Sequence, residues 1–324
     1  MYRKHFGLLC RPFELSPDAG TFFLSEKQKQ VLAGLRQGLS ENTSLQLLTG
    51  STGVGKTALL EVVIASPEIP GHLCLMTKPV AEAEFLPLLG AQLQLMFCGN
   101  KAKFLVLFAK LLKECREDGQ KILLIIDDAH MLPRAVLEDL RLLANLASQV
   151  SSALCILLVG RPELLNRLSQ EQLFMLNQRL AVRYHLGNFS RDESRRYIHF
   201  RLHRAGAGNR DIFTNDSAEL VYEATGGNPR LVNMLCDDAL FAAYSQGVPT
   251  IDADLMRACV ERLHVGGDDD VFLRPPEVDT GMRRWLIWVV LTVFLLEGVG
   301  VGFAYQKGWL LNVCQYLMRS IKLG

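Results

Sequence analysis

The chain has 324 residues, 49% of them hydrophobic and 21% charged, so it is long enough for a sizeable core and for two soluble modules. Its 35 Lys and Arg residues nearly balance 34 Asp and Glu residues, which excludes a protein that captures nucleic acid or anionic lipid through its overall charge. The eight cysteines form no C-x-x-C pair, which favours reduced, buried thiols in a cytoplasmic body over a disulfide framework.

Short apolar runs alternate with segments of helical spacing between residues 44 and 186. The apolar runs predict buried strands at 45–49, 73–77, 122–127, 154–159 and 182–186, and the helical segments are 82–97, 103–118 and 134–147. Such alternation is typical of an α/β protein, in which a parallel sheet is flanked by helices on both faces.

The strand pattern stops after residue 186. Ser190-x-x-Glu193 is a capping-box pattern that predicts the start of a helix over 190–205, and three more helical segments follow at 218–224, 229–246 and 252–265. We therefore predict a core domain over residues 1–188 and a small helical lid over residues 189–265.

The rest of the chain has a different composition. Gly, acidic residues and Pro over residues 266–284 predict a linker. Residues 285–305 are about one bilayer's worth of apolar sequence, interrupted only by Glu297 and preceded by two arginines. This pattern favours a transmembrane helix over a buried helix of a soluble domain. Residues 306–324 are predicted to be a short amphipathic tail.

The loop between the first predicted strand and the next helix fits the pattern G-x-x-x-x-G-K-[ST]. Its residues are Gly50, Ser51, Thr52, Gly53, Val54, Gly55, Lys56 and Thr57. The glycines let backbone N–H groups curl around phosphates, and the helix N-terminus adds partial positive charge, so the loop predicts ATP binding. Lys56 is expected to reach the β- and γ-phosphates, and the Thr57 hydroxyl is expected to ligate Mg²⁺.

Two acids end the predicted strand 122–127. Behind a phosphate-binding loop, the carboxylate at such a strand end completes the Mg²⁺ site, a role we assign to Asp127. The next acid, Asp128, is expected to orient and deprotonate the attacking water. The alternative is that these acids merely end the strand as loop residues.

Further motifs occur in a fixed order along residues 1–265. They are Phe6-Gly7-Leu8, Ile125-Ile126-Asp127-Asp128-Ala129-His130, Leu158-Val159-Gly160-Arg161-Pro162-Glu163-Leu164, Asn177-Gln178-Arg179-Leu180 and Gly226-Gly227-Asn228-Pro229-Arg230. With the loop at 50–57, they make the chain resemble the AAA+ ATPases of the general secretion pathway protein A (ExeA-like) family, which are related to transposition ATPases. The resemblance implies a P-loop NTPase fold of AAA+ type with a helical lid.

The resemblance also implies ATP hydrolysis between neighbouring subunits of a homo-oligomeric ring. Arg179 matches the arginine finger that reaches the nucleotide of the next subunit, and Arg183 is the alternate. Arg230 matches the second sensor, which couples the lid to the nucleotide. The alternative for each arginine is a solvated charge at a helix end.

The chain departs from the family pattern at three places. Asp128 stands where the family usually has Glu, so its carboxylate is one methylene shorter and we expect slow turnover. Arg161 replaces a polar amide near the first sensor. Residues 306–324 follow the apolar segment at the place where larger family members have a periplasmic peptidoglycan-binding domain, so we expect the short forms of the family to be the better analogues.

Taken together, these features favour an ATPase anchored in the bacterial inner membrane, with its ATPase domain in the cytoplasm. The expected partners are copies of the same chain and components of an envelope export system of general secretion, pilus or exopolysaccharide type. One alternative is a DNA-associated, transposition-type regulator, against which the balanced charge and the apolar segment count. Another is a nucleotide-gated scaffold with little hydrolysis.

Overall fold

A computed structural model describes seven ranges of the chain. These are residues 2–14, 22–40, 44–65, 71–97, 99–150, 153–208 and 210–265. Its strands are β1 (Leu45–Gly50), β2 (Gly71–Met76), β3 (Lys121–Ile126), β4 (Leu154–Gly160) and β5 (Val182–Leu186). All neighbouring pairs are parallel, and the strand order is β2-β3-β4-β1-β5. The predicted parallel sheet is confirmed.

Helices connect the strands, and further helices follow the last strand. Those that precede β5 are α1 (Tyr2–His5), α2 (Glu26–Ser40), α3 (Lys56–Ile64), α4 (Glu82–Gln92), α5 (Lys101–Glu117), α6 (Arg134–Val150), α7 (Glu163–Leu168) and α8 (Phe174–Asn177). Those that follow it are α9 (Arg191–Arg204), α10 (Asn215–Thr225), α11 (Pro229–Gln246) and α12 (Ala253–Val265). A short 3₁₀ turn, Ala129–Met131, follows β3.

Both faces of the sheet are covered, because successive side chains of a strand point to opposite faces. On β3, Ile122 and Leu124 pack into the cluster formed with α4, α5 and α6. Leu123 and Ile125 pack into the opposite cluster, formed with α2 and α3. A strand buried on both faces needs the continuous apolar runs from which these strands were predicted.

A separate apolar cluster holds helices α9 to α12 together. The predicted capping box is confirmed, since Ser190 Oγ accepts from Glu193 N at 3.3 Å and the Glu193 carboxylate accepts from Ser190 N at 2.8 Å. The start of the chain also packs in this cluster, and Tyr2 donates a hydrogen bond to the Asp237 carboxylate. The buried rings of Phe6 and Phe13 therefore cover the helical part of the molecule, and they do not cover the sheet.

Several predicted boundaries are corrected by the structure. The helix predicted over 82–97 ends at Gln92, because Gln94 adopts φ 57° and Leu95 N turns back to donate to Gly90 O at 2.8 Å. Helix α3 begins at Lys56, directly after the left-handed Gly55, so the last two residues of the loop at 50–57 belong to its first turn. The sequence patterns did not indicate α1, α2 or α7.

Three predicted segments lie outside the described residues: the linker at 266–284, the apolar segment at 285–305 and the tail at 306–324. Within the ranges that the structure describes, no helix combines the length and the apolar character needed to cross a bilayer.

Candidate functional site

Three neighbouring strands end at one edge of the sheet, and each delivers candidate site residues there. The loop at 50–57 follows β1, Arg161 follows β4, and Asp127 and Asp128 follow β3. Parallel α/β sheets bind ligands at the carboxyl ends of their strands. A cavity of about 440 Å³ opens at this edge, lined by the 52–57 part of the loop, Asp128, Arg161 and residues of α9 and α11.

The loop at 50–57 is shaped by its glycines and fixed by one apolar side chain. Gly53 and Gly55 have φ values of 83° and 97°, in the left-handed region that favours glycine. Between them, Val54 is fully buried in the cluster beneath the sheet. The loop is therefore fixed at its centre while its backbone curves around the N-terminus of α3.

Lys56 is buried against the loop, although it carries an ammonium group. Its Nζ donates to Gly50 O at 2.8 Å and to Ser51 O at 2.9 Å. Burial lowers the pKa of Lys56, and the negative charges of Asp127 and Asp128 oppose that shift. The ammonium is thus held inside the curve of the loop by two carbonyl contacts and by nearby carboxylates.

The structure brings the two predicted Mg²⁺ ligands into direct contact. Thr57 Oγ1 donates to Asp127 Oδ2 at 2.7 Å, across 70 positions of sequence. The other oxygen, Asp127 Oδ1, accepts from Asp128 N at 2.9 Å, so both carboxylate oxygens of this buried residue are oriented. A hydroxyl and a fixed carboxylate therefore lie side by side beneath the loop.

Asp128, the predicted base, lines the cavity and has a half-exposed side chain. Its backbone adopts φ 49°, which is uncommon for a residue with a side chain. His130 Nδ1 lies 3.8 Å from Asp128 Oδ1. Burial lowers the pKa of His130, and Asp128 opposes the shift while Arg161 adds to it.

The N-terminus of α11 contacts the loop directly. Asn228 caps this helix, because its Oδ1 accepts from Arg230 N at 3.1 Å and from Leu231 N at 3.4 Å. The amide of the same side chain donates to Thr52 O at 2.9 Å, and Arg230 N lies 3.3 Å from Gly53 O. The predicted sensor Arg230 therefore lies against the loop, and Asn228 is a site residue whose role the sequence did not indicate.

The sequence also did not indicate the aromatic side of the cavity. Phe23 lies 5.6 Å from Phe189 and 5.6 Å from Tyr197 between ring centroids, and Phe22 lines the cavity beside them. The Tyr197 hydroxyl donates to Asn233 Oδ1 at 2.8 Å. Phe23, Phe189 and Tyr197 come from separate segments of the chain, so no local sequence pattern indicates that their rings meet at the cavity.

Arg179 and Arg183 are not among the residues that line this cavity in the described part of the chain. Arg179 follows α8, and its guanidinium donates at 2.9 Å to Oγ of Ser148, near the C-terminal end of α6. Arg183 donates to Asn177 Oδ1 at 2.8 Å and is exposed. Both arginines are therefore held near the surface, apart from the loop of their own chain.

Comparison with known proteins agrees with this geometry. Residues 39–168 match a family model described as an AAA domain. General secretion pathway protein A of Aeromonas hydrophila is 34% identical over 251 residues, which are 76% of this chain and 46% of that protein. The chain thus spans less than half the length of this curated relative.

Solved structures share the fold at low sequence identity. Cdc6p of Pyrobaculum aerophilum has a TM-score of 0.60 at 18% identity, over 82% of this chain and 74% of that one. ORC2 of Aeropyrum pernix, in ADPNP-ADP complexes, has a TM-score of 0.56 at 18% identity, over 78% and 71%. The Walker-type ATPase of Pyrococcus abyssi has a TM-score of 0.52 at 20% identity, over 78% and 76%. The resemblance seen in the sequence motifs is confirmed: residues 39–168 match an AAA domain, the chain has the α/β P-loop fold of AAA+ proteins, and it belongs to the ExeA-like family of general secretion pathway protein A.

Proposed function

We propose that this protein binds ATP with Mg²⁺ in the cavity between the loop at 50–57 and the helices α9 and α11, and that it hydrolyses the nucleotide. The observation that carries the proposal is the 2.7 Å hydrogen bond from Thr57 to Asp127. A hydroxyl beside a buried carboxylate is the oxygen donor set that Mg²⁺ takes next to phosphates. The residues therefore fit this ion: Thr57 and Asp127 would hold it, and when bound it would neutralise charge on the phosphate oxygens.

Lys56 supplies the positive charge of the phosphate site. Its Nζ now contacts the carbonyls of Gly50 and Ser51, and it can exchange them for phosphate oxygens without leaving the loop. Because Lys56 is only 8% exposed, few water molecules compete for the ammonium, and its attraction to phosphate is stronger than at the surface.

Asp128 is the proposed base. Its carboxylate lines the cavity and can accept the proton of a water molecule directed at the terminal phosphate. The side chain is one methylene shorter than the glutamate usual in the family, so its reach toward the water is smaller. We therefore propose slow turnover.

Hydrolysis is proposed to need a second copy of the chain. Arg179 matches the family's arginine finger, and its contact with Ser148 holds it apart from its own cavity, where a neighbouring copy can meet it. A cation brought to the terminal phosphate stabilises the charge of the transition state. Arg230, whose backbone touches the loop, would carry the state of the nucleotide to the lid.

In the cell, we propose that the protein works at the bacterial inner membrane, with its ATPase body in the cytoplasm. It would assemble or energise an envelope secretion or export machine. Support comes from the 34% identity to a protein named for the general secretion pathway, and from the apolar sequence of residues 285–305. Cytosolic ATP is accessible only if residues 1–265 lie on the cytoplasmic side.

A nucleotide-gated scaffold with little hydrolysis is a second candidate, and the short side chain of Asp128 favours it. In that case ATP would change the lid through Asn228 and Arg230 without being turned over. A DNA-associated regulator is not favoured, because 35 basic residues are balanced by 34 acidic ones.

Steady-state ATPase rates of the full chain separate these candidates. We expect Lys56→Ala, Asp128→Asn and Arg179→Ala each to lower the rate at least tenfold, on the order of one lost transition-state contact. Arg257→Ala is the matched control, because Arg257 is an exposed arginine of α12 that pairs with Asp254 in the same helix and lies outside the described cavity. Equal, background-level rates for wild type and Lys56→Ala would favour the scaffold, and a loss at Arg183→Ala but not at Arg179→Ala would reassign the finger.

A further inference from the structure

His130 carries a buried polar atom that the proposed reaction does not use. Its Nδ1 is inaccessible to solvent and has no hydrogen-bond partner within the described part of the chain. A buried nitrogen without a hydrogen-bond partner lowers the stability of the fold by about 1–3 kcal/mol. A function of His130 beside the cavity would explain why this cost is tolerated. Asp128 Oδ1 lies 3.8 Å away, just beyond hydrogen-bond distance.

The position of His130 is fixed by contacts that do not involve Asp128. The Arg167 guanidinium, on α7, donates to His130 O and, at 2.6 Å, to Leu132 O. Gly160, at the end of β4, packs so closely that a Cβ there would lie 3.2 Å from His130 N. The turn that bears His130 is therefore anchored to both β4 and α7.

Asp128 has a fixed backbone and a free side chain. Its left-handed conformation is held by Met131 N, which donates to Asp128 O at 2.9 Å, and by the contact of its own N with Asp127 Oδ1 at 2.9 Å. Its side chain is 48% exposed, so packing does not select the direction of the carboxylate. A proton acceptor in a reaction must be held in a narrow range of orientations.

We propose that His130 is a positioning residue for Asp128, whose carboxylate it holds by donating Nδ1–H to one oxygen while the other faces the cavity. This inference rests on the proposed hydrolysis. A small rotation of the Asp128 side chain shortens the 3.8 Å separation to a hydrogen bond. Asp128 is one methylene shorter than glutamate, so a fixed orientation of its carboxylate compensates in part for its shorter reach toward the water. His130 itself does not line the cavity, so it acts through Asp128.

Two amide substitutions test which ring nitrogen matters. The amide nitrogen of Asn can occupy the place of Nδ1, whereas the longer side chain of Gln places its amide near the position of Nε2. We expect His130→Gln and His130→Ala to lower kcat at least about tenfold, and His130→Asn to stay within about threefold of wild type. KM and the affinity for a fluorescent ATP analogue should change less than about twofold in all three, because Asp128 binds no part of the nucleotide.

A second measurement distinguishes positioning from a structural role. In single-turnover assays, His130→Ala should lower the rate no further in a chain that already carries Asp128→Asn, since the two residues act as one unit. Thermal unfolding reports whether each variant is folded, and if His130→Ala is not, the comparison of Asn with Gln decides. Equal kcat values for His130→Asn and His130→Gln, or a further loss in the Asp128→Asn chain, overturn the inference. A wild type no faster than Lys56→Ala overturns the proposed hydrolysis and this inference with it, whereas a fast wild type with unaffected His130 variants overturns only the inference.

Discussion

Asn228→Ala is the substitution that best tests how the lid is joined to the phosphate loop. It removes the Oδ1 that caps α11 and the Nδ2 that donates to Thr52 O at 2.9 Å. Loss of an N-cap costs about 1 kcal/mol, and loss of a partly exposed hydrogen bond about another 0.5–1.5 kcal/mol. For a domain of this size, each kcal/mol lowers the unfolding midpoint by about 2–4 °C.

A matched control separates the two losses. Thr214 caps α10 by accepting from Ser217 N at 3.2 Å, and it is not among the residues that line the described cavity. Thr214→Ala should therefore lower the unfolding midpoint only by the loss of one helix cap, and it should leave the affinity for ATP unchanged. Asn228→Ala should lower the midpoint further and weaken ATP binding about fivefold, which corresponds to about 1 kcal/mol. Equal midpoints and equal ATP affinities for the two variants, measured by thermal unfolding and calorimetry, would show that Asn228 does not join α11 to the loop at 50–57.

Two further predictions concern the stability of the lid. Gly227→Ala should lower the free energy of unfolding by several kcal/mol, because a Cβ at Gly227 would lie 2.0 Å from Phe189 O. Gly247 has nearly the same φ but no atom within 4 Å of such a Cβ, so Gly247→Ala should cost about 1–2 kcal/mol. Similar losses for the two variants in thermal unfolding would contradict this contact. Burial raises the pKa of Glu193, but hydrogen bonds from Ser190 and Ser25 outweigh burial and hold this pKa below its usual range. The stability that Glu193 contributes is therefore present above the ordinary pKa of glutamate and is lost as the pH falls through the lowered pKa. Glu193→Gln should therefore flatten the acid side of a plot of unfolding midpoint against pH, and an unchanged acid side would exclude this role.

The sheet and the phosphate loop were predictable because both depend on local patterns. Continuous apolar runs marked the strands, and the glycine spacing marked the loop. The pairing of Thr57 with Asp127 followed from topology, because parallel strands bring their carboxyl ends to one edge of the sheet. Helix boundaries were less predictable: the helix predicted to continue to residue 97 ends at Gln92 because of backbone contacts that apolar periodicity does not show.

Long-range packing was not predictable from such patterns. The contact of Tyr2 with Asp237 spans 235 positions, and no periodicity connects the start of the chain with the lid. The rings of Phe23, Phe189 and Tyr197 likewise meet only after folding. Asn228 was visible within a motif, but its double contact with α11 and the loop depends on the position of the lid.

A calorimetric titration of ATP into the full chain, with and without Mg²⁺, tests whether Thr57 and Asp127 form a metal site, when wild type is compared with Asp127→Asn. The substitution keeps the size of the side chain and removes the negative charge beside Thr57. We predict that Mg²⁺ tightens ATP binding by wild type at least about tenfold and has a much smaller effect on Asp127→Asn. If Mg²⁺ changed the ATP affinity of both proteins equally, or of neither, Thr57 and Asp127 would not form the metal site, and binding of ATP with Mg²⁺ at this place would be contradicted.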